Sequence, residues 1–234
     1  MTKVIVHHHL GLGDHFICNG IVNALSKQVK IYLVCKENYY ETVSYLYTDN
    51  FNVKLIPLYN DSYFGEFEQV SHIQKVLQKD LIRIGFQNIE HTHFDRNFYE
   101  SVEMPFEYRY TMFRLPKVNQ KASKLYQQLS HGQEYVLAHR QSSESKYNIN
   151  IDTHLPVIDV DLRVSQNMLN WIDLIKGASQ IHCVPSSFYC LVDSIASTLE
   201  GKLFYHDIRK GTLLNPNNEF NNNCWNVISY ASKL

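Results

Sequence analysis

The chain is 234 residues long, with 44% hydrophobic and 19% charged residues: enough for one large hydrophobic core or two smaller ones, and too apolar for a disordered chain. Its formal net charge is −1 with no run of Lys or Arg, so it lacks the basic footprint of a nucleic-acid binder. The opening MTKVIVHHHL lacks the apolar stretch of a signal peptide and no window approaches the ~20 apolar residues of a membrane span, so a cytoplasmic protein without a membrane span is expected.

Residues 3–9 (KVIVHHH) are rich in β-branched side chains and read as a strand, with His7 and His9 on one face and His8 on the other. Gly11 and Gly13 follow as a tight turn. Behind them Ile17, Ile21, Ala24 and Leu25 recur at helical spacing, with Asp14 in the place of an N-cap. Next come a strand at 29–35, a helix at 38–48, a strand at 53–59 whose Pro57 implies a bend or a sheet edge, and a helix at 66–79. Residues 85–115, aromatic and charged without a sustained period, read as loops and a short helix, and a boundary falls near Pro116 to Gln120. The second half reads as helix 121–131, strands 134–140 and 156–161, a helix over 167–179 stopped at Gly177, strand 180–184, helix 186–199 and strand 202–206. Strand and helix alternate in both halves. The expected fold is α/β, with two Rossmann-like doubly wound domains, 1–116 and 117–234, facing a cleft.

Several constellations carry candidate chemistry. An acid at position 14, on the first loop after the first parallel strand, lies where open sheets bind ligands and could take a proton from a hydroxyl nucleophile; His15 is the neighbouring candidate. The Gly11 and Gly13 loop suits close approach to an anion or a sugar, but Phe16 stands where a dinucleotide fingerprint has its third glycine. Pro185-Ser186-Ser187 marks a second helix start, where the serine hydroxyls and the backbone N–H groups of Ser187 and Phe188 could cradle a diphosphate; Asp193, two turns further on, reads as a surface residue. Arg140 and Lys146, on the loop after strand 134–140, could hold phosphates, and Arg209 and Lys210 raise the same possibility. Asp159 and Asp161, spaced by one residue, could hold Mg or Mn at a diphosphate but read first as turn formers, and the scattered histidines have no spacing that assigns a metal. The five cysteines contain no CxxC pair and read as buried or incidental thiols.

HLGLGDHFICNGIVNAL followed by VKIYLVCK resembles the opening of small bacterial and viral glycosyltransferase-like proteins, themselves distantly similar to the lipopolysaccharide heptosyltransferases of the two-domain GT-B group. QIHCVPSSFYCLVDSI resembles the segment of that group where a turn and a helix N-terminus meet the donor diphosphate, and KLFYHDIRK the strand and basic loop that follow. The resemblance implies a glycosyltransferase, hexosyl or related, that moves a sugar from a nucleotide diphosphate donor to a glycan or other hydroxyl acceptor, with no obligatory metal or cofactor. It implies Asp14 as catalytic base beside His15, and Gly11, Gly13, Arg140, Lys146, Ser186, Ser187, Phe188 and Arg209 on the donor side. The second turn departs from the threonine-glycine type of that group, and no acid is assigned to a nucleotide ribose. Two other readings stand beside this one: a nucleotide- or NAD(P)-dependent enzyme using the Gly11 to Gly13 loop, and a non-catalytic nucleotide-sugar-binding or structural protein.

Overall fold

The computed structural model describes residues 1–59, 65–86, 93–208 and 215–230, and the chain falls into two units, Met1–Lys117 and Val118–Leu234. In the first, β1 (Lys3–His8), β2 (Lys30–Lys36), β3 (Val53–Leu58) and β4 (Asp80–Ile84) form a parallel sheet in the order β3-β2-β1-β4. β1 is an inner strand and every residue after Lys3 is buried, so its sequence is a continuous apolar run rather than an alternation. β3 lies at the edge, where Pro57 pairs with Cys35 in register, as a residue without an N–H requires. β4 was not expected from the sequence.

Among the described residues the α-helices of this unit are α1 (Leu12–Ile17), α2 (Asn19–Leu25), α3 (Tyr40–Leu46), α4 (Glu66–Leu77), α5 (Phe94–Glu100) and α6 (Tyr108–Thr111). Val70, Ile73 and Leu77 lie on one stripe of α4 and pack on Ile5, Leu10, Val34 and Leu58. Val70, fully buried among them, contributes about 1.5–3 kcal/mol, and the partly buried Ile73 and Leu77 less. The helix expected to run from Asp14 to Leu25 is interrupted at Cys18, whose N–H reaches the carbonyls of both Asp14 and Phe16. Gly20 in α2 then lies against α6, where a Cβ would meet the Tyr108 carbonyl oxygen at 2.0 Å. The stretch expected as mostly loops thus supplies two helices, joined by the buried ion pair Asp95–Arg109.

The second unit is a parallel sheet in the order β6-β5-β7-β8-β9, from β5 (Val136–His139), β6 (Val157–Asp159), β7 (Gln180–Cys183), β8 (Lys202–Asp207) and β9 (Trp225–Ser229). Its helices are α7 (Gln120–Ser130), α8 (Ile172–Gly177) and α9 (Ser187–Ser194). The Asn119 side chain caps α7 by accepting the Ala122 N–H at 3.0 Å. The helix expected over 167–179 begins instead as a 3₁₀ turn, Met168–Trp171, because the Asn167 side chain captures the Leu169 N–H at 3.0 Å. α9 stops at Ser194, earlier than expected, and a 3₁₀ turn at Ala196–Thr198 follows.

Asp193 corrects the surface reading. It is buried, and its Oδ1 accepts both the Trp225 indole N–H and the Asn221 amide, each at 2.9 Å. One carboxylate on α9 thereby ties down the asparagine-rich approach to β9, the other strand the sequence did not announce. All five cysteines are free, four of them buried. Among the described residues no helix is long and apolar enough to cross a membrane.

Candidate functional site

In the first unit the candidate residues gather at the carboxyl end of β1. Gly11 is the N-cap of α1 with extended backbone angles (φ −68°, ψ 147°), and Gly13 already lies in the first helical turn, so the two do not form the tight turn expected of them. Asp14 is the third helical residue rather than the cap. Its Oδ2 accepts the Gly11 N–H at 3.2 Å, and a Cβ on residue 11 would meet that oxygen at 2.7 Å, so the glycine leaves room for the carboxylate to fold back. Burial pushes the Asp14 carboxyl up to about 7, with the Gly11 N–H and the Lys36 charge pulling the other way. A carboxyl of that kind changes charge near neutral pH, where a general base is most effective.

His15, the neighbouring candidate for the base, is fully buried. Because α1 has already begun, the residue after Asp14 turns inward and meets His8 edge-on, ring centroids 4.4 Å apart. Neither ring nitrogen of His15 nor Nε2 of His8 has a hydrogen-bond partner. Desolvation holds His15 well below its usual range and His8 at about 4, so both rings are neutral. On the opposite face His7 and His9 both contact Phe86, as the alternation predicts, with centroids at 4.6 and 4.7 Å. His7 Nε2 pairs with Glu66 at 2.8 Å, and Lys36 Nζ lies 3.9 Å from the other oxygen of the same carboxylate. Sequence reasoning singled out neither Glu66 nor Lys36.

In the second unit Ser186 is the N-cap of α9. Its Oγ accepts the Tyr189 N–H at 3.3 Å, donates to the Val184 carbonyl at 3.0 Å and pairs with His139 Nδ1 at 3.1 Å, so this hydroxyl is occupied by the fold. Ser187 and Phe188 begin the helix, where backbone N–H groups have no carbonyl of their own helix to bind. The Phe188 ring is buried and stacks on His139 at 4.8 Å.

Arg140 follows β5 directly. Its Nε donates to Asp159 at 2.6 Å and a terminal nitrogen donates to the Ile149 carbonyl at 2.7 Å, which leaves the side chain 20% exposed. Lys146 is exposed, on a loop closed by a bridge to Gln141. Arg140 and Lys146 together line a cavity of about 550 Å³ with Asp159, Asp161, Arg163 and Gln166, and a neighbouring hollow of about 640 Å³. Asp161 is held at about 2 by the Arg163 guanidinium, which it accepts in a bidentate pair. Both aspartates of the Asp159-Val-Asp161 pair are thus matched to arginines. Among the described residues there is no group of three or more His, Cys, Asp or Glu placed to hold a metal. Ser186, Ser187 and Phe188 do not line either hollow. Arg209 and Lys210 lie outside the described residues.

The carboxyl rim of this sheet also carries a row of polar groups on one face. Asp159 and Arg140 bond at the β6 and β5 ends; His182 Nδ1 pairs with His206 Nε2 at 2.8 Å between β7 and β8; His206 Nδ1 pairs with the Tyr230 hydroxyl at 2.6 Å just beyond β9. Burial, with Arg140 and each other's charge adding to it for His182, brings both imidazoles down to about 4. No spacing in the sequence marks this row, because it runs across strands rather than along one.

No family model and no curated protein matches the chain. Several solved structures resemble it, two of them as follows. The glycosyl transferase family 9 structure from Veillonella parvula DSM 2008 aligns with 98% of this chain and 86% of its own at a TM-score of 0.60 and 9% identity. E. coli ADP-heptose LPS heptosyltransferase II aligns over 97% of this chain and 90% of its own, with a TM-score of 0.54 and 10% identity. At such identities the likeness is one of backbone architecture, and this chain therefore has a heptosyltransferase-like fold built from two parallel α/β units.

Proposed function

We propose that this chain is a glycosyltransferase in which Asp14 is the general base and the second unit grips a nucleotide diphosphate sugar. The acceptor hydroxyl gives its proton to the Asp14 carboxylate as its oxygen bonds the anomeric carbon; the bond from that carbon to the diphosphate breaks, and the departing nucleotide diphosphate takes the electron pair. A single base acting on the attacking hydroxyl, with no covalent glycosyl intermediate in the scheme, favours inversion at the anomeric carbon. On the donor side Lys146, exposed at the lip of the cavity, is the cation that meets the phosphates, while Arg140, bound to Asp159 and the Ile149 carbonyl, shapes the wall. The backbone N–H groups of Ser187 and Phe188 supply further donors. The reaction so drawn requires no metal.

The observation that carries the reading is the Asp14 carboxyl, folded back on Gly11 and poised to ionise near pH 7 at the carboxyl end of a central parallel strand. The fold it shares with a family 9 glycosyl transferase, and with a protein named for ADP-heptose, favours a nucleotide sugar over a dinucleotide. The buried Phe16 at the third fingerprint position points the same way.

The donor half is tested by thermal denaturation of the full chain with UDP, GDP, ADP, CMP and dTDP, free and as sugar conjugates. A ligand at about 100 times its Kd stabilises by about 2.7 kcal/mol, which moves the midpoint by several degrees. At least one nucleotide is expected to do so, and Lys146→Ala is expected to weaken that shift. Silence from the whole panel contradicts the reading.

A further inference from the structure

Arg140 organises more than the cavity in which it meets Asp159. Its carbonyl accepts the Tyr147 N–H at 2.8 Å and its guanidinium donates to the Ile149 carbonyl at 2.7 Å, so one residue holds the chain at two points just beyond the Gln141–Lys146 bridge. Tyr147 is tied again by its hydroxyl, 3.3 Å from that of Ser142. This stretch and Val157, on the edge strand β6, enclose the neighbouring hollow of about 640 Å³. Arg140 and Lys146 line that hollow as well as the cavity of about 550 Å³, so the two cations stand where the two spaces adjoin. The linings differ in kind. The cavity carries the pairs Arg140–Asp159 and Arg163–Asp161, whereas the hollow, apart from the shared cations, is lined by Tyr147, Ile149, Ile151 and Val157 with the amides of Asn148 and Asn150, and by no carboxylate among the described residues.

We propose that this hollow is a nucleobase subsite, in which Tyr147, Ile149, Ile151 and Val157 receive the faces of the base and the Asn148 and Asn150 amides read its edge, with the phosphates at Lys146. That the nucleotide is a sugar donor rests on the glycosyl-transfer reading; that its base enters this hollow does not. A base is flat, with apolar faces and an edge that alternates hydrogen-bond donors and acceptors. Apolar and aromatic side chains suit the faces, and an amide, which both donates and accepts, suits the edge. A sugar ring in the same place would set its hydroxyls against Ile149, Ile151 and Val157 and leave several without partners, whereas the carboxylates of the adjoining cavity can accept them. Val157 is 40% exposed and both asparagines are exposed, so the surface is open to a ligand. Because the bonds to Arg140 already fix the wall, binding has little chain left to order.

The test is isothermal titration calorimetry of the full chain with ADP, GDP, UDP, CDP and dTDP, and with inorganic pyrophosphate as the probe that lacks a base. The best nucleoside diphosphate is expected to bind at least about 10-fold more tightly than pyrophosphate. Replacing Ile151 and Val157 together by serine should weaken that nucleotide by about 10-fold and leave pyrophosphate within about twofold. Lys146→Ala should weaken both probes. Asn148→Ala and Asn150→Ala, at exposed positions where folding is not at risk, should between them change the preference among the five bases by about fivefold or more. Pyrophosphate binding as tightly as every nucleotide overturns the proposal, as does silence from all six probes. So does a folded double variant with wild-type nucleotide affinity or with both probes weakened alike; if the double variant does not fold, asparagine variants that leave the base preference unmoved do the same. No sugar or acceptor enters this experiment. Absent sugar transfer with the expected binding therefore contradicts the transfer alone, and normal transfer with hollow variants that bind nucleotide like the wild type contradicts the subsite alone.

Discussion

Lowering the pH from 7 to 5 is expected to destabilise both units of this protein, the second by several kcal/mol. His8, His139, His182 and His206 are all buried, and desolvation brings each from 6.5 to about 4. The unfolded chain then binds more protons than the folded one between those two values, so stability is fully present above about pH 6.5 and is lost as the pH falls toward 4. At pH 5 each such histidine costs about 2 kcal/mol, and His15, buried without a partner, adds to the loss. Asp14 works in the opposite sense: its raised folded value means that its contribution improves as the pH falls from 7 toward 4, by about 2 kcal/mol once its partial exposure is discounted. One carboxyl does not offset five imidazoles. Far-UV circular dichroism and the fluorescence of Trp171 and Trp225, both buried in the second unit, should report unfolding between pH 6 and about 4.5. A urea midpoint that stays constant from pH 7 to 5 would contradict the neutral, desolvated state assigned to these rings.

Arg109→Met is expected to destabilise the first unit by about 3–5 kcal/mol. Arg109 is fully buried and pairs with Asp95, whose side chain is 7% exposed, while its guanidinium also lies over the rings of Phe106 and Tyr110 at 5.9 and 5.4 Å. Methionine fills much of the same volume but leaves Asp95 as a lone carboxylate in a low-dielectric setting. Asp95→Asn should cost a similar amount for the converse reason. The double variant should cost much less than the sum of the two, because it leaves no uncompensated charge. Urea denaturation of the four proteins closes the cycle; single substitutions costing under about 1 kcal/mol, or strictly additive costs, would show that the pair does not hold α5 and α6 together.

The elements legible in the sequence are those with local signals: the VIV run of β1, the stripe of α4, and Pro57 marking an edge strand. β4 and β9 escaped because DLIRI and WNVIS are five residues each, the first carrying two charges and the second following a run of asparagines. Their place is fixed by distant partners, β1 in one case and Asp193 in the other. The same distance hid the buried pair Asp95–Arg109, since a charged residue is by default a surface residue until its partner is known. At the candidate site the sequence singled out Asp14 in part as the cap of its helix, a place that Gly11 takes instead. α1 therefore starts three residues earlier than a cap at Asp14 would set it, and that difference is what sends His15 into the core.

The most direct test of sugar transfer uses whichever nucleotide sugar stabilises the chain most, and measures release of free nucleoside diphosphate by wild-type protein and by Asp14→Asn at pH 7.5, with donor affinity measured in parallel. The proposed mechanism predicts release by the wild type, a fall of about 10²–10⁴-fold in the variant, and donor affinity unchanged within about twofold. A variant that releases nucleotide as fast as the wild type would remove Asp14 from the chemistry and the mechanism with it.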